Sequence, residues 1–163
     1  GVALRGRRVR LPGAGGATRG VPRPIARAGA ARILIANRTA DKAQALAREL
    51  APHLGAVPIA GGGLDALAAG EAFDVLINAT SASLSGQAPA VPVTAFAAGA
   101  LAYDMVYGKG LTPFLRLAQA TGCTRVMDGV GMLVEQAAES FALWRGVRPD
   151  TREVLARLCV PLV

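Results

Sequence analysis

The sequence predicts an α/β fold, a three-layer sandwich with a mainly parallel sheet covered by helices on both faces. Three observations carry that prediction. Short β-branched runs alternate with alanine-rich stretches of helical periodicity along the chain. The strand runs are apolar at successive residues, as in Ile33-Leu34-Ile35-Ala36 and Val75-Leu76-Ile77, which is the pattern of strands buried on both faces. A glycine cluster, Gly13-Ala14-Gly15-Gly16, separates the first strand from the first helix. The chain has 163 residues, 52% apolar and 18% charged, with a mean hydropathy of +0.38. That is the size of one domain with ample material for one core, and it excludes a disordered segment. Alanine supplies 34 residues and aromatics only 4%. Small residues at close approach, not ring clusters, must therefore build the interior.

Taken in order, the first strand covers Val9 to Leu11, and a helical stretch follows the glycines as far as Ala28. Ile33 to Ala36 is the second strand. Thr39 to Ala51 reads as a helix, with Thr39 as N-cap, Asp41 in the first turn, and Ala43, Leu46, Ala47 and Leu50 on one face. Val57 to Ile59 is a third short strand, and Ala60-Gly61-Gly62-Gly63 marks a flexible loop after it. Val75 to Ile77 and Leu101 to Met105 are the fourth and fifth strands. Thr112-Pro113 opens a helix, with threonine as cap and proline at the first helical position, and Gly122 closes it. Arg125 to Met127 supplies a sixth strand, and Met132 to Trp144 and Thr151 to Leu158 are closing helices. Strands separated by helices of about 10–15 residues form βαβ units. No internal repeat or linker interrupts them.

Composition narrows the function classes. The most apolar stretch, Ala88 to Tyr103, is broken by Pro89, Pro92 and Gly99, so no membrane span is expected. Gly1 to Arg10 holds four arginines with no apolar run after them, unlike a secretory leader. Cys123 and Cys159 cannot form a disulfide framework, which points to a reduced, cytoplasmic protein with both thiols used for packing. The net charge of +7 is uneven, because residues 1–40 carry nine arginines and no acid. Such a field suits a phosphate-bearing ligand or, as the alternative function, a nucleic-acid-binding or non-catalytic nucleotide-binding module. Only seven aromatic residues are available for base stacking, and no RNA-binding or zinc-finger signature is present, so no nucleic-acid partner is expected. No metal site is expected either.

The sharpest local motif is Gly13-Ala14-Gly15-Gly16-Ala17-Thr18, between a strand and a helix. A pyrophosphate there needs a tight turn, a residue without a side chain at closest approach, and helix N–H groups aimed at the anion. Gly13 and Gly15 suit the first two roles, and Thr18 stands where the third small residue of G-x-G-x-x-G would lie, a loose match to a Rossmann-like loop. Glycine turns are also ordinary in an Ala/Gly-rich chain. About 20 residues on, an NAD site places an acid on the adenosine ribose. Here that position is Asn37, followed by Arg38-Thr39 and, one helical turn later, Lys42. An acid would repel a 2′-phosphate, whereas Arg, a Thr hydroxyl and Lys would hold one. The segment favours NADP over NAD, the other reading being a plain strand end with surface cations. Asn78-Ala79-Thr80-Ser81 either faces the nicotinamide half or caps the next turn. Asp104, Tyr107 and Lys109 follow the fifth strand at the same edge. Asp128 is a candidate cap before a helix whose polar group is Gln136, and His53 reads as a surface residue.

These pieces, in this order, resemble the C-terminal NADP-binding domain of the shikimate dehydrogenase family. The matching segments are Gly13 to Ala17 with Thr18-Arg19-Gly20, Asn37-Arg38-Thr39, Asn78 to Ser81, Tyr103 to Tyr107, Lys109 to Pro113, and Asp128 to Val134 with Gln136-Ala137. The resemblance implies a Rossmann-like domain and reversible reduction of 3-dehydroshikimate to shikimate with NADPH. It implies that Gly13, Ala14, Gly15, Gly16 and Ala17 cradle the pyrophosphate. Asn37, Arg38, Thr39, Ala40, Asp41 and Lys42 would bind the adenosine 2′-phosphate. Met105 and Gly129 would line the nicotinamide site, and Tyr107 and Gln136 would reach the substrate. Quinate-using relatives, usually NAD-dependent, tend to carry an acid near Asn37, so the resemblance is to the NADP branch. Family members place a substrate domain before this one, with the catalytic Lys–Asp pair. The two lysines here, Lys42 and Lys109, match other positions, so no catalytic residue is expected in this chain and turnover would require the other domain. Arg10 and Pro12 interrupt what is normally an apolar strand, and Pro22 and Arg23 replace apolar helix residues, whereas Pro24 matches. A proline past the first helical turn costs about 3 kcal/mol.

Overall fold

The apolar runs of the sequence come together in one sheet of six strands, every pairing of which is parallel. The structure is a computed structural model, and it describes residues 2–64, 71–108, 110–159 and 161–162. Its strands are β1 (Arg8–Pro12), β2 (Arg32–Asn37), β3 (Ile59–Gly63), β4 (Phe73–Asn78), β5 (Phe96–Asp104) and β6 (Arg125–Met127), in the spatial order β3-β2-β1-β4-β5-β6. The helices are α1 (Gly16–Gly20), α2 (Pro22–Arg27), α3 (Ala40–Leu50), α4 (Pro113–Ala120), α5 (Val130–Arg145) and α6 (Arg152–Leu158). The fold is the Rossmann-like α/β sandwich that the sequence predicts. Among the described residues no helix is long and apolar enough to cross a membrane.

Strand alternation sorts the core into two layers. Val9, Leu11, Ile33, Ile35, Val75 and Ile77 pack with Ile25 of α2 and with Ala43, Leu46 and Ala47 of α3. Leu34, Leu76, Ala100 and Ala102 pack on the opposite face with Phe114, Leu115 and Ala118 of α4. Alanine is used as composition requires: Ala36, Ala43, Ala95, Ala102 and Ala118 are completely buried. Thr112 caps α4 as expected, its hydroxyl accepting from the Leu115 N–H at 3.3 Å, with Pro113 next.

Three expectations are corrected. The third strand is Ile59–Gly63, not Val57 to Ile59, and the glycine run is strand instead of loop. Gly61 pairs with Ile35, and a Cβ on it would stand 2.1 Å from the Ala43 carbonyl oxygen, so only glycine lets α3 lie this close. The first helix is not continuous to Ala28. It breaks at Val21, because Pro22 and Pro24 lack the N–H groups that would bond back one turn. Cys159 is exposed and does no packing, unlike the buried Cys123, whose thiol donates to the Ala100 carbonyl at 3.1 Å. The remaining differences are of length: β5 begins at Phe96 and α5 at Val130. Thr39 stands at the N-cap of α3 without a side-chain cap bond.

Pro12 does not break β1, because it is the final strand residue, and its carbonyl accepts from the Ala79 N–H at 3.1 Å. Arg8 holds Asp74 through its backbone N–H at 2.8 Å and its guanidinium at 3.2 Å, which keeps the Asp74 carboxyl below its ordinary range. Arg10, in mid-strand, is completely buried. One of its nitrogens donates to the Leu64 carbonyl at 3.1 Å, and its guanidinium carbon sits 5.9 Å from the Phe73 ring centroid. Nε and Nη1 have no hydrogen-bond partner among the described residues, and burial lowers the guanidinium's proton affinity against the opposing pull of Glu71.

Replacing buried ionic groups by well-packed apolar side chains of similar volume is often neutral or stabilising, by about 1–4 kcal/mol for a buried pair or triad. Arg10→Met should therefore raise Tm by about 2–8 °C in calorimetry, while Arg10→Ala, which leaves a cavity beside Phe73, should melt below the Met variant. A Met variant melting below the parent would show that the guanidinium is a net stabiliser.

Candidate functional site

In an open parallel sheet, ligands bind where the strand order reverses, outside the carboxyl ends of the strands. Here that point lies between β1 and β4, and two loops face each other across it. The loop after β1 begins with Gly13 at φ +107°, a conformation that side chains disfavour. A Cβ on Gly13 would also lie 3.0 Å from Thr80 Cγ2 and 3.1 Å from the Ala79 carbonyl oxygen. The turn is pinned at both ends: Gly13 N–H donates to the Ala36 carbonyl at 2.8 Å, and the buried Thr18 hydroxyl donates to the Gly13 carbonyl at 3.0 Å. Thr18 thus replaces the third small residue of the motif with a hydrogen bond that closes the loop. Gly15 and Gly16 have ordinary φ, and a Cβ on either would meet nothing within 4 Å. That leaves open space over the loop, where first-turn N–H groups have no carbonyl one turn earlier.

A cavity of about 640 Å³ joins this loop to the end of β2. Its walls include Gly13, Ala14, Gly15, Asn37, Arg38, Thr39 and Lys42, with Ala79, Thr80 and Ser81 opposite. The size suits a small-molecule cofactor. Arg38, Thr39 and Lys42 are exposed at its rim, and Asn37 Nδ2 donates to the Thr39 carbonyl at 3.0 Å, which fixes the corner between β2 and α3. No carboxylate belongs to the described lining. Gly16, Ala17, Ala40 and Asp41 adjoin the lining residues in sequence without being part of it. Leu64, Ser85, Gln87 and Ala88 to Ala90 are further wall residues that sequence reasoning missed. The available signal was the pair Gly86, at φ +77°, and Pro89, turn residues just past the ligand edge of β4.

The other candidates gather at the end of β5. Gly129 N–H donates to the Val106 carbonyl at 3.1 Å, and a Cβ on Gly129 would stand 2.3 Å from the Met105 carbonyl oxygen, so these two residues are in contact. They lie outside the cavity lining, as do the exposed Tyr107 and Gln136. Tyr103 is half-buried, and burial together with the Asp128 carboxylate raises its phenol above the ordinary value. Asp128 Oδ1 accepts from the Val130 N–H at 3.2 Å, while Gly129 occupies the N-cap of α5. His53 is exposed. Lys109 lies outside the described residues.

The two glycine environments give opposite expectations. Gly13→Ala should cost about 1–3 kcal/mol through backbone strain and contact with Ala79 and Thr80. Gly16→Ala should leave Tm unchanged or raise it, since alanine in an unstrained helical position gains about 0.5–1 kcal/mol. Thermal melts of both variants check the pair.

Known proteins resemble this chain in sequence and in fold. Residues 2–86 match the model of the shikimate/quinate 5-dehydrogenase family, and residues 129–159 match that of the shikimate 5′-dehydrogenase C-terminal domain. A shikimate dehydrogenase (NADP(+)) of Dechloromonas aromatica (strain RCB) is 56% identical over 163 residues, covering 100% of this chain and 58% of that protein. The crystal structure of an Ael1 enzyme from Pseudomonas putida superposes with a TM-score of 0.87 at 54% identity, over 99% of this chain and 58% of that one. Shikimate 5-dehydrogenase from Thermus thermophilus, in complex with NADP(H) and shikimate, gives a TM-score of 0.75 at 32% identity, over 97% of this chain and 57% of that one. The chain thus spans less than two thirds of the length of these relatives. The longer match runs through β1, the glycine loop, the Asn37–Lys42 segment and β4, over more than half of the chain, which belongs to the shikimate/quinate 5-dehydrogenase family.

Proposed function

We propose that this chain is the NADP(H)-binding domain of a shikimate dehydrogenase, which interconverts 3-dehydroshikimate and shikimate in aromatic amino-acid biosynthesis, in the cytoplasm. One observation carries the reading. A glycine turn with open space above it shares a cavity with Arg38, Thr39 and Lys42, and no carboxylate stands among the described lining. The similarity to a relative crystallised with NADP(H) and shikimate supports it. When bound, the cofactor supplies a hydride.

In this reading Gly13 to Ala17 hold the pyrophosphate through backbone N–H groups. The Arg38 guanidinium, Thr39 hydroxyl and Lys42 ammonium, with Asn37, Ala40 and Asp41 completing the segment, hold the adenosine 2′-phosphate. Met105 and Gly129 shape the nicotinamide side, where their main chains touch. Tyr107 and Gln136 reach toward the substrate, and their exposure leaves both available. None of these side chains is assigned the hydroxyl proton transfer that general acid–base catalysis requires. That step is assigned to the part of family members that this chain does not span.

Arg38→Ala should weaken NADPH binding by about 10-fold or more, the worth of one charge-assisted hydrogen bond, and leave NADH binding within about 2-fold. Fluorescence titration of each cofactor reads the difference, and equal losses would remove Arg38 from the 2′-phosphate site. The chain alone, given NADPH and 3-dehydroshikimate, should show cofactor binding without absorbance loss at the nicotinamide band. Sustained turnover would place a proton-transfer group within these residues.

A further inference from the structure

Asn78 and Asp104 end β4 and β5 opposite one another in the strand register, and both are completely buried. A carboxylate and a carboxamide buried together are costly unless their polar atoms are matched donor to acceptor. The matching here has a direction. Asp104 Oδ1 accepts from Asn78 Nδ2 at 3.0 Å and from the Val106 N–H at 3.1 Å, and Oδ2 accepts from the Thr112 hydroxyl at 2.6 Å. An ionised carboxylate can only accept, so the Asn78 carboxamide must turn its NH₂ toward Asp104. Its oxygen is thereby turned the other way, where it accepts from the Thr80 hydroxyl at 2.7 Å and the Thr80 N–H at 3.0 Å. With its hydroxyl donating to Asn78 and accepting from the Ala82 N–H at 3.3 Å, Thr80 presents its methyl carbon to Gly13, 3.0 Å from where a Cβ would stand. Thr80 also lines the cavity.

We propose that Asp104 is a positioning residue for the dinucleotide site: it anchors the NH₂ of the Asn78 carboxamide and, through it, steadies the rotamer of Thr80 against which the Gly13 turn rests. The inference rests on the NADP(H) reading above for its functional consequence, though not for the relay itself. Asp104→Ala removes the acceptor of the Asn78 NH₂ and frees the carboxamide to move away from Thr80. Asp104→Asn keeps the anchor, because its amide oxygen can face Asn78 and the Val106 N–H while its NH₂ donates to the Thr112 hydroxyl.

The test measures two quantities in the whole chain: the Thr80 χ1 couplings by NMR without cofactor, and the Kd for NADPH by fluorescence. Asp104→Ala should average the Thr80 rotamer and raise Kd about tenfold, and Asp104→Asn should keep the parent rotamer and a Kd within about threefold of the parent. Parent couplings and parent Kd in Asp104→Ala would overturn the proposal. If that variant does not fold, an averaged Thr80 rotamer in Asp104→Asn overturns it equally. A parent chain that does not bind NADPH overturns the function proposed above, while the Thr80 couplings still decide the relay.

Discussion

Main chains meet in this domain at distances that a methyl group would forbid, and the placement of its parts depends on those contacts. At Gly61 the strand β3 receives α3, with 2.1 Å between an added Cβ and the Ala43 oxygen. At Gly129 the start of α5 meets the end of β5, with 2.3 Å to the Met105 oxygen. At Gly13 the loop after β1 meets the chain after β4, with 3.1 Å to the Ala79 oxygen. The first contact seats the helix whose N-terminal turn carries Lys42. The second fixes where the last strand passes into its helix, and the third closes the floor of the cavity. A chain poor in aromatics gains its density through such approaches, because dispersion depends on contact, not on ring size.

The same contacts explain what was legible in the sequence. Strands buried on both faces announce themselves as apolar runs, so β2 and β4 are evident from Ile33 to Ala36 and from Val75 to Ile77, and the tight turn after β1 is evident from Gly13 and Gly15. Local rules failed where tertiary structure overrode them. Gly61 to Gly63 read as a loop by propensity and are strand because α3 needs the space. Thr39 looked like a capping side chain, but the corner is held by Asn37. Loop walls such as Leu64 and Gln87 carry no motif at all, since lining a cavity requires only position. The relay through Asn78 and Asp104 was visible as residue types and not as a connection, because the two lie 26 residues apart and meet only through β-pairing.

The arginine excess also changes meaning once the chain is folded. Arg8 is tied to Asp74, Arg32 to Glu71 and Arg19 to Glu49, so three positive charges are matched by acids from later in the sequence. Arg10 is enclosed within the sheet layer. What the linear sequence presents as one basic segment is thus distributed over an edge, a core and a cavity rim. Arg38 is left facing the open space where an anion would gain most from it.

The break between α1 and α2 has a mechanical consequence. In an unbroken helix the turn under a phosphate would share the rigidity of everything that follows it. Two missing N–H groups at Pro22 and Pro24 remove the bonds that would transmit that rigidity, while Ile25 anchors the second segment in the core. The loop is therefore held by its own bonds, Gly13 N–H to Ala36 and the Thr18 hydroxyl to Gly13, and not through the helical segment that follows it.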